Sequence, residues 1–382
     1  MKVRLGDYIQ EYSVKNKDDE NISVYSVTNT KGFCKDYFGK EVASKDKTTY
    51  KIVPYGYFAY NPSRINVGSV DWQRKEKKVI VSPLYNVFSV SPNLERQYLY
   101  YYLKSDFVLQ RIKAVATGSV RDNLKLSMLY EFPIELPKLE NQRKIVKILD
   151  KVSDVIEKKE QELEQLETLV KSRFVELFGD PIKNPKGWEV VKLSECLERI
   201  DNGKSFTCDS NAREGVFPAI LKLSAATYGD YRPYENKALL DEKQFVESVE
   251  VHRGDLLFTR KNTPDLVGMA AYVFETPEKL MMPDLIFRLV TNERMTPTFL
   301  WQLINNREFR PVIQGISGGS AKSMSNISKE RLKNIEVICP PISEQKKLEG
   351  VLEQVDKSKS KIQKSLEETQ LLFDSLMQKY FG

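Results

Sequence analysis

The sequence has very little histidine and none of the glycine motifs that bind nucleotides. His252 is the only histidine in 382 residues, so a Ser-His-Asp triad or a site with several histidine ligands has at most one candidate. We expect His252 itself to be an ordinary loop or strand residue. None of the 18 glycines forms G-x-G, so neither a dinucleotide-binding fingerprint nor a phosphate-binding loop is present.

Cysteines and long apolar runs are also scarce. The four cysteines are Cys34, Cys196, Cys208 and Cys339, with no C-x-x-C spacing. This usage suits a reducing cytoplasm and predicts neither a disulfide framework nor a zinc site. No run of about 18 apolar residues occurs, which predicts no membrane span, and the first residues lack the apolar core of a signal peptide. We therefore expect a cytoplasmic protein.

The charge balance is only mildly basic. Lys and Arg number 59 against 53 Asp and Glu, which gives a net charge of +6. This balance permits a polyanionic partner without requiring one. The length predicts two or three domains.

A long repeat organises the chain. Residues from Leu136 and residues from Cys339 align without a gap at a constant offset of 203 residues. Chance does not produce such a match without an insertion, so the sequence predicts a duplication. The identical pairs include Pro137 and Pro340, Gln142 and Gln345, Leu149 and Leu352, Phe178 and Phe381, and Gly179 and Gly382.

Both copies of the repeat are predicted to be long helices of a coiled coil. Apolar residues recur in steps of four and three, and Glu and Lys fill most other positions, as in heptads. Each helix would be a rod of about 60 Å, and an antiparallel pairing of the two would place one globular segment at each end. The first stripe is Ile145, Leu149, Val152, Ile156, Leu163, Leu166, Val170 and Leu177. The second is Leu348, Leu352, Val355, Ile362, Leu366, Phe373, Leu376 and Tyr380.

The segments outside these helices also resemble each other. Gly56 corresponds to Gly254 and Gly68 to Gly268, and strand-like runs alternate with helices in both segments. We predict an α+β fold in which two similar mixed α/β domains are separated by two long helices that form an antiparallel coiled coil, in a pseudo-twofold cyclic repeat. The expected segments are 1–136 and 181–338 for the domains, and 137–180 and 339–382 for the helices.

Basic and amide side chains recur in equivalent loops of the two domains. Arg and Asn read guanine and adenine edges, while Lys and Ser contact phosphates. These could be ordinary exposed turns, but their recurrence in a duplicated fold favours nucleic-acid binding. The candidates in the first domain are Asn61, Arg64, Asn66, Ser69, Arg74, Lys75, Lys77, Arg121 and Asn123. Those in the second are Lys204, Arg260, Lys261, Asn262, Lys322 and Ser323. The tyrosines Tyr98, Tyr100, Tyr101 and Tyr102 are interpreted mostly as core.

Motifs for catalysis are missing. An adenine methyltransferase needs a glycine-rich cofactor loop and an Asn/Asp-Pro-Pro-aromatic motif, and the nearest string, residues 61–64, lacks the second proline and the aromatic residue. Residues 76–78 match acid-plus-lysine nuclease chemistry only loosely, and such charge runs are typical of a solvated surface. We therefore predict no catalytic residue and no metal ligand. Two alternatives stay open: a coiled-coil adaptor whose domains bind proteins, and an enzyme in its own right.

Several segments together resemble the DNA-specificity subunit of type I restriction–modification systems. They are ELPKLENQRKIVKILDKV and ICPPISEQKKLEGVLEQVD, which are similar to the Pro-Pro-x-x-Glu-Gln openings of the family's two helices, together with GWEVVKLSEC, VHRGDLLFTR, and YNPSRINVGSV followed by IVSPLYNVF. One departure is Asn141, which stands where the family usually has Glu. The resemblance covers essentially the whole chain.

The resemblance implies a subunit without catalytic activity that binds double-stranded DNA. Each target-recognition domain would read one half of a split sequence, and the helical pair would set the spacer and dock two methyltransferase subunits. Restriction and translocation subunits would join the same complex. The chain itself would carry no cofactor, with S-adenosylmethionine, ATP and Mg²⁺ bound only by its partners.

Overall fold

The computed structural model of the chain describes residues 2–35, 46–115, 123–318 and 324–382. Contacts divide the chain into two units. The first unit consists of Met1–Glu160 and Lys364–Gly382, and the second unit consists of Gln161–Gln363. Each unit therefore contains part of both copies of the repeat. The four sequential segments given above stay a prediction.

The first unit consists of short strands and helices followed by one long helix. The strands are β1 (Lys2–Arg4), β2 (Ile9–Glu11), β3 (Ser26–Thr28), β4 (Gly32–Cys34), β5 (Lys51–Pro54), β6 (Phe58–Tyr60), β7 (Val70–Trp72), β8 (Lys78–Val81), β9 (Asn86–Val90) and β10 (Pro133–Glu135). The helices are α1 (Arg96–Lys104), α2 (Asp106–Val115), α3 (Leu126–Tyr130) and the long α4 (Leu139–Phe178), whose second half belongs to the second unit. Strands β2, β9, β6 and β7 form an antiparallel sheet in that order.

The second unit repeats this plan. The strands are β11 (Val190–Lys192), β12 (Leu197–Asn202), β13 (Ala219–Leu221), β14 (Asn236–Ala238), β15 (Leu256–Thr259), β16 (Lys261–Asn262), β17 (Ala270–Tyr272), β18 (Leu280–Met281), β19 (Ile286–Thr291), β20 (Ser325–Asn326) and β21 (Glu336–Ile338). The helices are α5 (Pro297–Asn305), α6 (Arg310–Gly315), α7 (Lys329–Lys333) and the long α8 (Ile342–Phe381), whose last part belongs to the first unit. Strands β12, β19, β15 and β17 form its antiparallel sheet in that order.

The two sheets confirm the predicted duplication and α+β fold. Their strands follow the same spatial order, and the shared glycines Gly56 and Gly254 both have a positive φ, of 83° and 93°. Glycine adopts this conformation at no steric cost, which explains its recurrence there. The units differ in what is inserted between the sheet strands: pairs β3–β4 and β5–β8 in the first, and the three-stranded β14-β13-β18 sheet in the second.

A helix covers each sheet with its apolar face. In the first unit, Tyr98, Tyr101 and Tyr102 of α1 are buried and Tyr100 is half-buried, as predicted for a core stripe. In the second unit, Phe299 of α5 occupies the corresponding core. These helices pack against the buried sheet residues of their own unit.

The long helices pack antiparallel within each unit. In the first unit, Leu149 of α4 shares a core with Met377 and Phe381 of α8, while Lys159 donates to Ser365 Oγ at 2.8 Å. Positions rise along α4 as they fall along α8, which confirms the predicted direction. The predicted stripe residues are all buried or half-buried.

The second unit shows the same arrangement with the opposite halves of the helices. Val170 of α4 shares a core with Leu352 of α8, and the Lys359 ammonium lies 3.2 Å from Glu167 Oε1. Charged side chains therefore flank an apolar seam, as heptad packing requires.

A buried glutamine fastens each long helix to its own unit. Gln142 accepts a hydrogen bond from the backbone N–H of Glu95 at 2.8 Å and donates to the carbonyls of Asn93 and Pro137 at 3.1 and 2.9 Å. Glu95 is the N-cap of α1. The glutamine thus joins the beginning of α4 to the beginning of α1.

Gln345 does the same in the second unit. It accepts from the N–H of Thr296 at 2.8 Å and donates to the carbonyls of Arg294 and Pro340 at 2.9 and 2.7 Å. Thr296 is the N-cap of α5. Both glutamines are fully buried with both ends of the amide bonded, so the Gln of the repeated motif is a structural connector.

Across the described part of the chain, no helix has the length and apolar character needed to span a membrane.

Candidate nucleic-acid interface

The first predicted loop leaves β6 at Asn61. Asn61 Oδ1 accepts hydrogen bonds from the backbone N–H and the Oγ of Ser63, at 3.1 and 2.9 Å. A short 3₁₀ turn at Ile65–Val67 follows and ends at Gly68, whose φ is 83°. The Asn side chain and the glycine together fix the loop conformation.

Some of the residues in this loop that the sequence predicts to bind nucleic acid are accessible, and one is buried. Arg64 is exposed and its side chain makes no hydrogen bond or ion pair with the residues described, while Asn61 and Asn66 are half-buried. Ser69 is only 2% exposed, and its carbonyl accepts from the N–H of Asn61 at 3.3 Å. Ser69 therefore closes the loop from inside, and its side chain is not displayed for phosphate contact.

A second polar loop meets the first at Pro62. The Pro62 carbonyl accepts from the N–H of Leu124 at 3.1 Å, and Tyr60 donates its hydroxyl to the Leu124 carbonyl at 3.0 Å. Asn123 is exposed beside this junction. The structure thus brings together the two loops that the sequence singled out in the first unit. Arg121 lies outside the described residues.

The basic segment after β7 divides into one anchored cation and two free ones. Arg74 Nη1 lies 3.1 Å from Asp71 Oδ1, and its guanidinium lies 4.8 Å from the centre of the Trp72 ring. Lys75 and Lys77 are exposed, and no residue that the structure describes forms an ion pair with either ammonium group. The two lysines are therefore available to an anionic partner, whereas Arg74 is held by its own unit.

In the second unit, the corresponding loops are joined by a short pair of strands. Lys261 pairs with Asn326 in the β16–β20 register, and Arg260 donates Nε and Nη2 to Asn326 Oδ1 at 3.4 Å each. The Arg260 guanidinium also lies 4.9 Å from the Phe287 ring centre. Arg260 and Lys261 are half-buried, and Lys322 and Ser323 are not among the described residues.

Asn262 is turned inward. It is 7% exposed, its Nδ2 donates to Thr227 Oγ1 at 3.2 Å, and its Oδ1 accepts from the N–H of Thr263 at 2.8 Å. The amide is thus committed to internal bonds that tie this loop to the inserted segment after β13. As with Ser69, its role in this structure is to support the loop.

Lys204 reaches the same end of the second unit. The preceding residue, Gly203, donates its N–H to the Ile286 carbonyl at 3.3 Å, next to the Leu285 carbonyl that accepts from Arg260 N–H at 3.0 Å. Lys204 is exposed. A further cation, which sequence reasoning missed, is Lys329, whose ammonium lies 5.5 Å from the same Phe287 ring as Arg260. Its position three residues after the small-residue segment 317–326 was the available signal.

The chain is similar to proteins of one family over most of its length. The family model of the type I restriction modification DNA specificity domain matches residues 3–168 and 185–369. The chain is 31% identical over 204 residues to the Type I restriction enzyme EcoEI specificity subunit of Escherichia coli, covering 51% of this chain and 34% of that protein. It is 24% identical over 378 residues to the MjaVIII specificity subunit of Methanocaldococcus jannaschii, covering 93% and 85%. The chain thus spans about a third of the length of the E. coli relative.

Solved structures show the same fold. One is described as the crystal structure of a Type-I restriction-modification system S subunit from M. genitalium, with a TM-score of 0.61, 15% identity, and coverage of 100% of this chain and 96% of that one. Another comes from work on complex assembly and conformational transition of the type I R-M system, with a TM-score of 0.53, 19% identity, and coverage of 100% and 97%. With the family model matching both halves of the duplicated fold, the chain belongs to the type I restriction modification DNA specificity family.

Proposed function

We propose that this chain is the DNA-recognition subunit of a type I restriction–modification complex and has no catalytic activity of its own. The observation that carries the proposal is the pairing of two polar loops at the strand ends of each unit, each pair carrying exposed or half-buried cations. Family membership supports it. Each unit would read one half of a bipartite double-stranded DNA target.

In the first unit, base edges would be read by Arg64, Asn66 and Asn123. Arginine makes two hydrogen bonds to guanine and asparagine makes two to adenine, each pair giving about 1–3 kcal/mol of discrimination. Lys75 and Lys77 would contact phosphates and so contribute affinity without sequence preference.

In the second unit, Arg260 is the proposed reader. Its contacts with Asn326 and with the Phe287 ring restrict the guanidinium before any DNA arrives, so little side-chain entropy remains to be lost on binding. Lys204, Lys261 and Lys329 would surround it with positive charge. Arg121, Lys322 and Ser323 stay predicted contacts.

The long helices would set the spacer between the half-sites and dock two methyltransferase subunits. Support for docking comes from exposed apolar residues seven positions apart on α4, Ile148 and Val155, which are 41% and 42% exposed. Residues seven positions apart lie on one face of a coiled-coil helix, so both side chains are open to the same partner. S-adenosylmethionine, ATP and Mg²⁺ would be bound by the partner subunits, including the restriction subunit, and the complex would act on DNA in the cytoplasm.

The test is genome-wide adenine methylation in cells that express this chain with its modification subunit. Deleting the chain should abolish methylation at one split motif with a fixed gap. Arg64→Ala should relax or abolish recognition of one half-site and Arg260→Ala that of the other. The matched control is Arg307→Ala, an exposed arginine of the second unit whose side chain makes no hydrogen bond or ion pair within the described chain, which should leave the motif intact.

The outcomes separate this proposal from a protein-binding adaptor. If deletion leaves every methylation motif unchanged while the modification subunit is active, the recognition role is wrong. If deletion abolishes the motif but both arginine variants behave like Arg307→Ala, the function stands and the assignment of the reading residues fails.

A further inference from the structure

Two of the four cysteines are in contact in the second unit, just after strands β11 and β21. Cys196 ends the 3₁₀ turn Leu193–Cys196, and Cys339 follows strand β21. Their Sγ atoms are 3.8 Å apart, and the side chains belong to residues that are 0% and 8% exposed. Both are free thiols. Scattered positions in the sequence gave no sign of this proximity.

The backbone holds the two thiols in place. Strand β11, which precedes Cys196, pairs antiparallel with β21, which precedes Cys339. The N–H of Cys339 donates to the Glu189 carbonyl at 2.8 Å, and the N–H of Leu193 donates to the Ile335 carbonyl at 2.8 Å. The strand leading into the globular part of the unit and the strand leading out of it are therefore fixed side by side, with one sulfur on each.

The contact between the two thiols favours a thiolate on Cys339. The hydrogen bond donated by the Cys196 thiol lowers the pKa of the Cys339 thiol, and the guanidinium of Arg294 adds to this effect, while burial and the carboxylates of Glu189 and Glu195 oppose it. Cys339 is also the more exposed of the two. Compared with Cys196, the lower pKa and the slightly greater exposure single out Cys339 as the thiol of this pair that an oxidant attacks first.

We propose that Cys196 and Cys339 form a reversible redox pair, which a peroxide oxidises to a disulfide. The disulfide would join the segments that follow strands β11 and β21 of the second unit. The Cys339 thiolate attacks one peroxide oxygen, the O–O bond breaks, and the leaving hydroxide takes a proton to become water. The sulfur of Cys196 then attacks the resulting sulfenic acid, the S–O bond breaks, and the departing hydroxide takes the Cys196 proton to form a second water. Two thiols and one peroxide thus give one disulfide and two waters.

The new bond would enclose residues 197–338 in one covalent loop, because the incoming and outgoing strands are joined. A long closed loop restricts the unfolded chain and slows its opening. The first unit has no counterpart, since Tyr8 and Leu136 occupy the equivalent positions. Oxidation would therefore act on one unit alone.

The experiment uses the full chain, reduced, freed of reductant, exposed to hydrogen peroxide, alkylated and digested without reduction. Mass spectrometry should find a peptide pair linking Cys196 to Cys339, lighter by two hydrogens than the two thiol peptides, with loss of the alkylated form of both. Cys34 and Cys208 are the internal controls and should remain alkylated. Dithiothreitol should restore both thiols, and amide exchange in 197–338 should slow on oxidation while exchange in the first unit is unchanged.

Cys339→Ser should abolish the link and leave Cys196 available to alkylation. The proposal is overturned if Cys339 is carried to sulfinic acid without a link, if links to Cys34 or Cys208 form equally well, or if both thiols survive the peroxide. Because the peroxide experiment on the wild-type chain decides between these outcomes, a serine variant that misfolds does not change the conclusion.

Discussion

The residue after Val70 in β7 of the first unit is Asp71, whereas the equivalent residue in β17 of the second unit is Ala271. Asp71 Oδ2 accepts from the N–H of Phe33 at 3.0 Å and so fastens the inserted hairpin β3–β4 to the sheet. Ala271 is fully buried and offers no such anchor. The second unit instead ties its insertion through the bond between Asn262 and Thr227. One framework thus carries different insertions because each is attached by its own polar contact.

This difference explains how a duplicated chain can present two unlike surfaces. The shared sheets, cap residues and buried glutamines occupy the positions that packing constrains, while the anchors of the insertions vary. A change in an anchor alters one loop surface without disturbing the sheet beneath. Changes in pH and substitutions at equivalent positions can therefore show in which respects the two units behave alike.

The largest expected difference between the units is their response to alkaline pH. Burial raises the pKa of five closely packed tyrosines in the first unit, with Tyr98 and Tyr100 at about 12. The others are Tyr60, Tyr101 and Tyr102. In the second unit, Tyr231, raised to about 12, and Tyr272 are affected. Unfolded tyrosines lose their proton from about pH 10 while buried ones keep it, so stability falls as pH rises through that range.

The first unit should lose about 4 kcal/mol between about pH 9 and about pH 11, at roughly 1 kcal/mol per buried tyrosine and less for the half-buried Tyr100. The loss in the second unit should be well below this, because both of its tyrosines are half-buried. Burial lowers the pKa of Lys51 and Lys104, which offsets part of the loss in the first unit. The stability lost by each unit is measured by hydrogen exchange followed separately in each unit, and tyrosine ionisation by tyrosinate absorbance. Equal losses in the two units would show that the burial of the tyrosine cluster is not what controls alkaline stability.

Truncating the phenylalanine near the end of each long helix should destabilise different units. Phe178 is fully buried, with ring centres 5.1 Å from Phe174 and 4.8 Å from Phe299. Phe381 is 6% exposed and its ring centre lies 5.0 Å from that of Tyr98. Phe178→Ala should cost about 4 kcal/mol in the second unit and Phe381→Ala about 3 kcal/mol in the first, because each leaves a cavity.

Denaturant unfolding gives the totals, and unit-resolved hydrogen exchange assigns them. Val175→Ala, at a site on α4 that is 54% exposed, is the control and should cost under about 1 kcal/mol. If both phenylalanine variants destabilise the same unit, the assignment of the helix ends to their units is wrong.

Replacing each buried glutamine by leucine should have equal effects in the two units. Gln142→Leu leaves one N–H and two carbonyls without their partner, and Gln345→Leu does the same. We expect a loss of about 2–3 kcal/mol in each case, from unsatisfied buried groups. Thermal unfolding monitors the loss, with exposed Gln354→Leu on α8 as control. Unequal losses would mean that the two glutamines make the same hydrogen bonds but contribute differently to stability.

The smallest expected effect concerns the polar contacts between the long helices. In the second unit Lys359 faces Glu167, and in the first unit Lys159 faces the neutral Ser365. Glu167→Gln should cost less than about 0.5 kcal/mol and only at low salt, since both groups are partly exposed. Lys159→Met should show no such salt dependence. A salt dependence common to both would point to the overall charge of the helices.

The repeat and the helical stripe could be predicted from the sequence because they depend on local periodicity. Leu149, Val170 and Leu352 fall where the heptads require and are buried. The burial of Phe174 and Phe178 was not predicted, because their side chains pack on their own unit rather than on the opposite helix. A spacing of four residues among Val170, Phe174 and Phe178 was the available signal.

The candidate interface was predictable as loops but not as side chains. The pairing of the loops follows from the duplicated strands. The burial of Ser69 and Asn262 and the anchoring of Arg74 depend on contacts with residues elsewhere in the fold or on the geometry of a turn. A polar residue in a loop serves either a partner or the loop itself, and only the three-dimensional contacts separate the two.

The residue ranges that make up the two units have a consequence for synthesis on the ribosome. The second unit is one continuous stretch, 161–363, so all its contacts are available once residue 363 has emerged. The first unit begins earlier but also requires 364–382. Until then, the surfaces of Tyr98 and Leu149 that Met377 and Phe381 cover stay open. The domain translated first therefore completes its folding last, and during translation its uncovered apolar surface is the part most exposed to aggregation and to chaperones.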